Sequence, residues 1–481
     1  MKHVIRCIVV LTISVAICGC IPEKRVVWSP DGQRAAVIGG DGLYLCDENG
    51  ALSSRLVDKV TLAEWLPDSQ HLAIVRRERA KTWAEVVPLL SAERRARIEA
   101  AGDALFEELQ QYQGALDGFD PQTTKQLGSG DTVAAILYAR DHDAHGAYWR
   151  GDERGRQVAQ QMAEVQQDVD IVQICELTGD QVSSTTELCR GVDGVNSLRV
   201  APTSGALAIV VQAPDRPGAL QLQVVSTADR TPARVVATDV ARWPDWSADG
   251  QYLAYAVASG PSREDDEALR LGTISRRRVA RDTGRLLEAF EAPEELAGIL
   301  FQPVTRVRCL RDGRVLFAGV EVALPCTAAD MPERAELFCV DPGRQPGVTR
   351  LIPRQVAARV PDTAYLFSVS PDERHVCIPG GNGDIALLEL ATGQIVDFRD
   401  QPDGAELRTQ PCWRGATELC CNTGPSHDDP TGRGEIMLWQ PTFGTGAGRE
   451  RVISADWPAS LVADFLVMPK DRDAAAEAHP E

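Results

Sequence analysis

Residues 25–40 read "RVVWSPDGQRAAVIGG": an extended apolar segment ending at a tryptophan, a tight turn, and a run of small and β-branched residues. Each part has a physical reason. Pro30 fixes φ at the second turn position, Asp31 can accept hydrogen bonds from its own backbone, and Gly32 accepts a positive φ. The order recurs along the chain. "WSPDGQRAAVI" begins at Trp28, "WLPDSQHLAIV" at Trp65, "VAPTSGALAIV" at Val200 and "WSADGQYLAYA" at Trp246. "CLRDGRVLFAG" follows at Cys309, "VSPDERHVCIP" at Val369 and "WRGATELCCNT" at Trp413. The residues that carry the motif are Trp28, Pro30, Asp31 and Gly32, then Trp65, Pro67 and Asp68, then Trp246, Asp249 and Gly250. The later copies keep Asp312 and Gly313, Pro371 and Asp372, and Trp413. Their expected role is structural.

Seven copies at uneven intervals describe a unit of about 40 residues stretched by insertions, the mark of a repeat architecture. After each turn comes a strand such as "RAAVI" or "YLAYA", then further short strands such as "GLYLCDENG", "LQLQVVSTAD" and "DIALLELATG". "RVVAT" and "QIVDF" supply fourth strands. Four antiparallel strands per unit make one propeller blade. The expected fold is all-β: a single seven-bladed β-propeller of four-stranded antiparallel blades over residues 21–469, with eight blades as the alternative. "SLVADFLVMP" at residues 460–469 reads as a further inner strand that would pair with the first blade and hide two sheet edges. Residues 470–481 read as a flexible tail. The Trp-Ser-Pro-Asp-Gly pattern, repeated with variations, and the strand that follows it resemble the WD40-like propeller repeat of the TolB type, over nearly the whole chain after the leader. That resemblance implies a part in envelope assembly or scaffolding.

The first twenty residues, "MKHVIRCIVVLTISVAICGC", place Lys2 and Arg6 before an apolar stretch too short to span a bilayer, as an export signal does. The ending Ile17-Cys18-Gly19-Cys20 resembles the lipobox of bacterial lipoproteins. It implies cleavage after residue 19 and acylation of Cys20, with residues 1–20 acting as the lipoprotein signal. Ile21 is not the aspartate that retains some lipoproteins at the inner membrane. The expected location is the cell envelope, lipid-anchored at the outer membrane and facing the periplasm; the alternatives are the outer face of the inner membrane, or secretion. A formal net charge of −19 repels phosphate and anionic headgroups, so nucleic acid is not an expected partner. The basic runs "RRERAK" and "SRRRVAR" have no interleaved aromatics and read as solvated faces.

About ninety residues separate the second and third strands of the second unit, and residues 80–168 read as a helical insertion. Ile98, Ala101, Leu105, Leu109 and Tyr112 recur at three- and four-residue steps, and Ser91 stands as an N-cap. "TVAAILYA" and "ERGRQVAQQMAEV" are further apolar pieces, with "GFDPQTTKQLGSGD" expected as the loop before the first of them. In an antiparallel blade the connections between strands two and three emerge on the side of the links between blades. The helical insertion and the long segments at 259–268, 321–334 and 423–434 therefore converge on one face, and long loops of this kind are more often functional than idle. An envelope protein or peptide bound there is the expected partner.

Catalytic patterns are missing from the sequence. There is no Gly-x-Ser-x-Gly elbow, no Gly-Lys-Ser/Thr phosphate loop and no His-Glu-x-x-His pair. The run Asp141-His142-Asp143-Ala144-His145 is the best metal-like cluster and reads as an exposed polar loop; "EDDE" at 264–267 and "HDD" at 427–429 lack the spacing of a calcium loop. No catalytic residue, metal or cofactor is therefore assigned. Thirteen cysteines include Cys7 and Cys18 in the leader and Cys20 at its end; the rest lie mostly in apolar strand-like runs without Cys-x-x-Cys pairs, and adjacent Cys420 and Cys421 would point to opposite faces. The expected function is a non-catalytic interaction or scaffolding module on a membrane anchor. The alternative is a propeller enzyme or small-ligand binder acting on a glycan or peptide in the central channel.

Overall fold

A computed structural model of the protein describes residues 25–111, 121–142, 167–203, 205–214, 216, 218–227, 232–259, 270–281, 285–319, 336–343, 347–353, 366–379, 384–399, 411–423, 435–443, 448–458 and 461. Their strands form seven four-stranded antiparallel sheets, each made of four strands consecutive in sequence. Blade 1 is β1 (Val26–Trp28), β2 (Arg34–Ile38), β3 (Gly42–Asp47) and β4 (Val57–Asp58). Blade 2 is β5 (Val60–Trp65), β6 (His71–Ala80), β7 (Gln167–Thr178) and β8 (Gln181–Gly191). Blade 3 is β9 (Val195–Val200), β10 (Ala206–Gln212), β11 (Leu220–Ser226) and β12 (Arg234–Thr238). Blade 4 is β13 (Asp245–Trp246), β14 (Tyr252–Ala258), β15 (Leu271–Arg278) and β16 (Glu294–Leu300). Blade 5 is β17 (Val307–Cys309), β18 (Val315–Gly319), β19 (Glu336–Val340) and β20 (Val348–Arg350). Blade 6 is β21 (Ser368–Val369), β22 (His375–Pro379), β23 (Ile385–Glu389) and β24 (Ile395–Arg399). Blade 7 is β25 (Cys412–Arg414), β26 (Glu418–Thr423), β27 (Glu435–Gln440) and β28 (Arg449–Val452). Each of the seven sequence copies is the turn from the first to the second strand of one blade.

The middle strands are buried on both faces, which is why they read as unbroken apolar runs rather than as alternation. Alternation survives in what each residue touches. Ala35 and Val37 pack towards blade 7, whereas Ala36 and Ile38 of the same strand pack towards blade 2. Every neighbouring pair of blades has such an apolar interface, including the pair formed by the last and the first. An open arc of seven sheets would have one interface fewer, so the ring is closed.

Seven blades, and not eight, account for the described strands. At the seam Val26, Trp28 and Val37 pack on Cys420, Ile436 and Trp457, and the Trp457 indole donates to the Gly50 carbonyl at 2.8 Å. The expected closing strand at 460–469 lies outside the described residues, except for Leu461, which is buried in that seam. All seven sheets are complete without it. Residues 1–24 with Cys20, the long segments at 321–334 and 424–434, nearly all of 259–268, and the tail 470–481 also lie outside the described residues.

Between β6 and β7 stand α1 (Trp83–Val86), α2 (Ala92–Gln111) and α3 (Pro121–His142). Helix α3 corrects one expectation: most of "GFDPQTTKQLGSGD" is helix, not loop. Pro121 suits a first helical turn, and packing of the following residues overrides the low propensity of Gly128, Ser129 and Gly130. No helix among the described residues is long and apolar enough to cross a membrane.

Candidate interaction face

The motif residues build the face opposite the insertion. In blade 1 Ser29 Oγ donates to Asp31 Oδ1 at 2.5 Å, and the same oxygen accepts the Gln33 amide at 3.0 Å. The Ser29 hydroxyl in turn accepts the Arg34 amide at 3.1 Å, and Gly32 sits at φ 70°. Asp249 with Gly250 at φ 69°, and Asp372 with Glu373 at φ 58°, repeat this arrangement. Asp68 accepts the amides of Gln70 and His71, and Asp312 that of Arg314, beside Gly313 at φ 89°. Pro30, Pro67 and Pro371 occupy the exposed second position. Burial alone would raise the Asp31 carboxyl, but the Ser29 hydroxyl, the Gln33 amide and Arg34 outweigh it and hold it below the usual carboxylate range. Asp68 and Asp372 are lowered in the same way.

The aromatic position has its own role. The Trp65 indole donates to the Val27 carbonyl of blade 1 at 2.8 Å, and the Trp246 indole to the Arg199 carbonyl of blade 3 at 3.1 Å. Trp413 reaches Ser368 of blade 6 at 3.4 Å. In each case the acceptor is the residue just before the preceding blade's motif position. The tryptophan ties one inner strand to the next. Only Trp28, which faces the seam, has no hydrogen-bond partner for its indole among the described residues.

On the other face the insertion is locked to blade 2 and to the link into blade 3. Trp83, Val86, Ile98, Ala134, Ala135 and Leu137 form one apolar cluster with Val169 and Ile171 of β7. Of the predicted stripe, Ile98 is fully buried, Ala101 and Leu105 are half-buried, and the side chains of Leu109 and Tyr112 lie outside the described residues. Ser91 caps α2 by accepting the Arg94 amide at 3.2 Å. At Gly102 an added Cβ would stand 2.3 Å from the Tyr138 ring, so that ring lies directly on the α2 backbone. Arg94 is buried and donates to Asp131 of α3 at 2.7 Å and to Asp193 in the link between β8 and β9. Burial opposes its charge, but Asp193 and Asp131 outweigh burial and raise its pKa. Beside it Asp170, nearly fully buried, takes a two-pronged contact from Arg77 at 2.8 and 3.0 Å and accepts the Val195 amide of β9 at 2.6 Å. A groove of about 290 Å³ runs between α1 and the blade, lined by Glu78, Arg79, Ala84, Glu85, Leu89 and Arg190.

The inner strands of blades 2 to 5 carry charge. Arg199 pairs with Glu64 at 3.3 Å, and Arg308 with Asp245 at 3.0 Å; Asp245 also accepts the Cys309 amide at 2.9 Å. Arg306 lies over the Trp243 ring at 4.5 Å and donates to the Phe367 carbonyl at 2.8 Å. Burial and the neighbouring Arg199 lower its pKa to about 9, against Asp245.

The metal-like run is taken apart by the fold. Asp141 accepts the Trp83 amide at 2.5 Å at the start of α1, and His142 stacks on Tyr138 at 5.1 Å. Asp143 and His145 lie outside the described residues, as do "EDDE" and "HDD". Among the described residues no three potential ligands gather. Sequence reading missed Arg94, Asp131, Asp170, Asp193 and the inner-strand arginines. The one available signal was charge inside predicted apolar strands, as in "TRVRCL" around Arg306 and Arg308.

No protein-family model and no curated protein matches the chain. Solved structures do. TolB from Acinetobacter baumannii is 14% identical and covers 59% of this chain, which spans 59% of that protein, with a TM-score of 0.36. The β-propeller domain of the trilobed protease from Pyrococcus furiosus is 10% identical, covers 91% of this chain and is itself 99% covered, with a TM-score of 0.45. The acylaminoacyl peptidase of Pyrococcus horikoshii is 11% identical over 59% of this chain and 41% of its own, with a TM-score of 0.36. The likeness is one of fold alone. By its own strands, the described part of the chain is a seven-bladed β-propeller of four-stranded antiparallel blades.

Proposed function

We propose that the protein is an envelope lipoprotein, anchored through Cys20, whose propeller is a non-catalytic platform for a protein or peptide partner. The observation that carries this reading is the anchoring of the helical insertion. Arg94 joins α2, α3 and the link into blade 3, so the helices are a fixed part of the link face. A rigid scaffold with an elaborated rim holds a partner by shape and hydrogen bonds, at little ordering cost. Lipid on Cys20 leaves about five residues before β1, roughly 17 Å of extended chain, which keeps the propeller close to the membrane.

The test is crosslinking and affinity capture from intact envelopes, comparing the full protein with one in which a short turn replaces residues 82–166. A stoichiometric partner lost on deletion supports the reading. Palmitate labelling of the protein, abolished by Cys20→Ala, tests the anchor separately. A second reading, a binder of a charged small ligand in the channel, is favoured by the charged side chains on the inner strands of blades 2 to 5. It is preferred if neither form captures a protein.

A further inference from the structure

Four cysteines occupy the last two blades: Cys377 on β22, Cys412 on β25, and Cys420 and Cys421 on β26. Strand alternation sorts them. Cys421 and Cys377 belong to the interface between blades 6 and 7, whereas Cys420 and Cys412 belong to the seam between blades 7 and 1. Within blade 7, Cys412 and Cys420 are directly opposed across the β25–β26 ladder. Both side chains lie in the same apolar cluster at the seam. Opposed strand residues have Cβ atoms about 4.5–5.5 Å apart, and a disulfide needs about 3.5–4.5 Å, at Cα separations common to both geometries. Only a small approach of the two side chains is required.

From this juxtaposition we propose that Cys412 and Cys420 are a redox pair, converted to a cross-strand disulfide by exchange with a disulfide-bearing oxidant. Cys412 is the half-buried member, and Cys420 is fully enclosed. Cys412 therefore meets the oxidant first. Its thiol loses a proton to solvent and attacks one sulfur of the oxidant; the oxidant's S–S bond breaks, and the leaving thiolate takes up a proton. Cys420 then loses its proton and attacks the Cys412 sulfur, expelling the second oxidant thiolate, which is protonated in turn. Two protein thiols are oxidised by two electrons, and one oxidant disulfide becomes two thiols. The contact with Cys412, and burial, push the Cys420 thiol well up, in keeping with its role as the second, resolving sulfur. The exchange has a consequence at the seam. In the reduced protein Cys412 donates its S–H to the Val26 carbonyl of blade 1 at 2.8 Å, and oxidation removes that donor. Export would supply an oxidising compartment, but the chemistry does not depend on the lipoprotein reading.

The full-length protein, reduced and then equilibrated in glutathione buffers of graded oxidation, is acid-quenched, alkylated and digested with trypsin. Cys412 falls in the fragment 409–414, and Cys420 and Cys421 fall in the fragment 415–433. The expected result is one linked pair of these fragments at the oxidising end, with Cys421 still alkylated and the link reversed by dithiothreitol. The link persists in Cys421→Ala and is absent in Cys420→Ser. Recovery of 409–414 alkylated, or only as its glutathione adduct, at every ratio overturns the proposal. So does a link that survives Cys420→Ser. The unsubstituted protein decides the first point alone, so a variant that fails to fold does not blur the outcome.

Discussion

A tryptophan at the end of an inner strand does two things in this ring: it fills an interface, and it bonds to the neighbouring inner strand. The second can be separated from the first. Trp246→Phe keeps most of the apolar surface but removes the bond to the Arg199 carbonyl, for an expected loss of about 1 kcal/mol in urea unfolding. Trp28→Phe removes an indole with no hydrogen-bond partner among the described residues and should cost clearly less. Equal costs would mean that the bond contributes nothing. The turn aspartates give a pH dependence of defined sign. Asp31, Asp68 and Asp372 are lowered in the folded protein, so their stabilisation is full above the unfolded value near about pH 4 and is lost as pH falls through the folded values. Their exposure makes each contribution small. Substituting all three by Asn should flatten the fall in unfolding midpoint below about pH 4, measured against an unchanged slope above pH 5.

The blades were legible at the level of elements because a turn needs particular residues at particular positions, and that chemistry is local. Trp28 to Gly32 and Trp246 to Gly250 mark their hairpins without any knowledge of the fold. The acceptor of each indole was not legible, since it lies on another blade. The same holds for the insertion. Ile98 and Ala101 announced a helix, but Asp131 lies 37 residues from Arg94, and Asp193 lies 99 residues from it. Pairing across such distances leaves no local trace, and the helical start at Pro121 was hidden by glycines that packing overrides. This anchoring is testable. Arg94→Met removes one of two arginines from buried Asp131, which keeps Arg97 at 2.7 Å, and leaves Asp193 without its buried partner, at a cost of about 1–3 kcal/mol to the insertion. Amide exchange should then lose protection in α2 and the α3 segment that packs on β7, while β10 and β22 keep theirs. Unchanged exchange in α2 would mean that apolar packing alone holds the insertion.

As a whole molecule the propeller is closed by face packing of blade 7 on blade 1, with Trp457, Ile453 and Leu461 filling the seam. Trp457→Ala should lower stability by about 3–5 kcal/mol and leave the Gly50 carbonyl without its indole donor. Because each blade is buried only by its neighbours, the loss should appear as one cooperative transition at lower temperature. A separate early transition of blades 1 and 7 would show that the ring is not one unit. The two faces of the ring differ in what they offer a partner: the helical insertion on one, short turns on the other. The most direct measurement is photo-crosslinking in intact cells from a probe at exposed Ala96 or Ala100 on α2, compared with a probe at exposed Gln33 or Gln70 on the turn face. A partner held on the link face gives a protein adduct of discrete mass from α2 and none from the turns. Adducts from the turns alone, or from neither face, would contradict that placement.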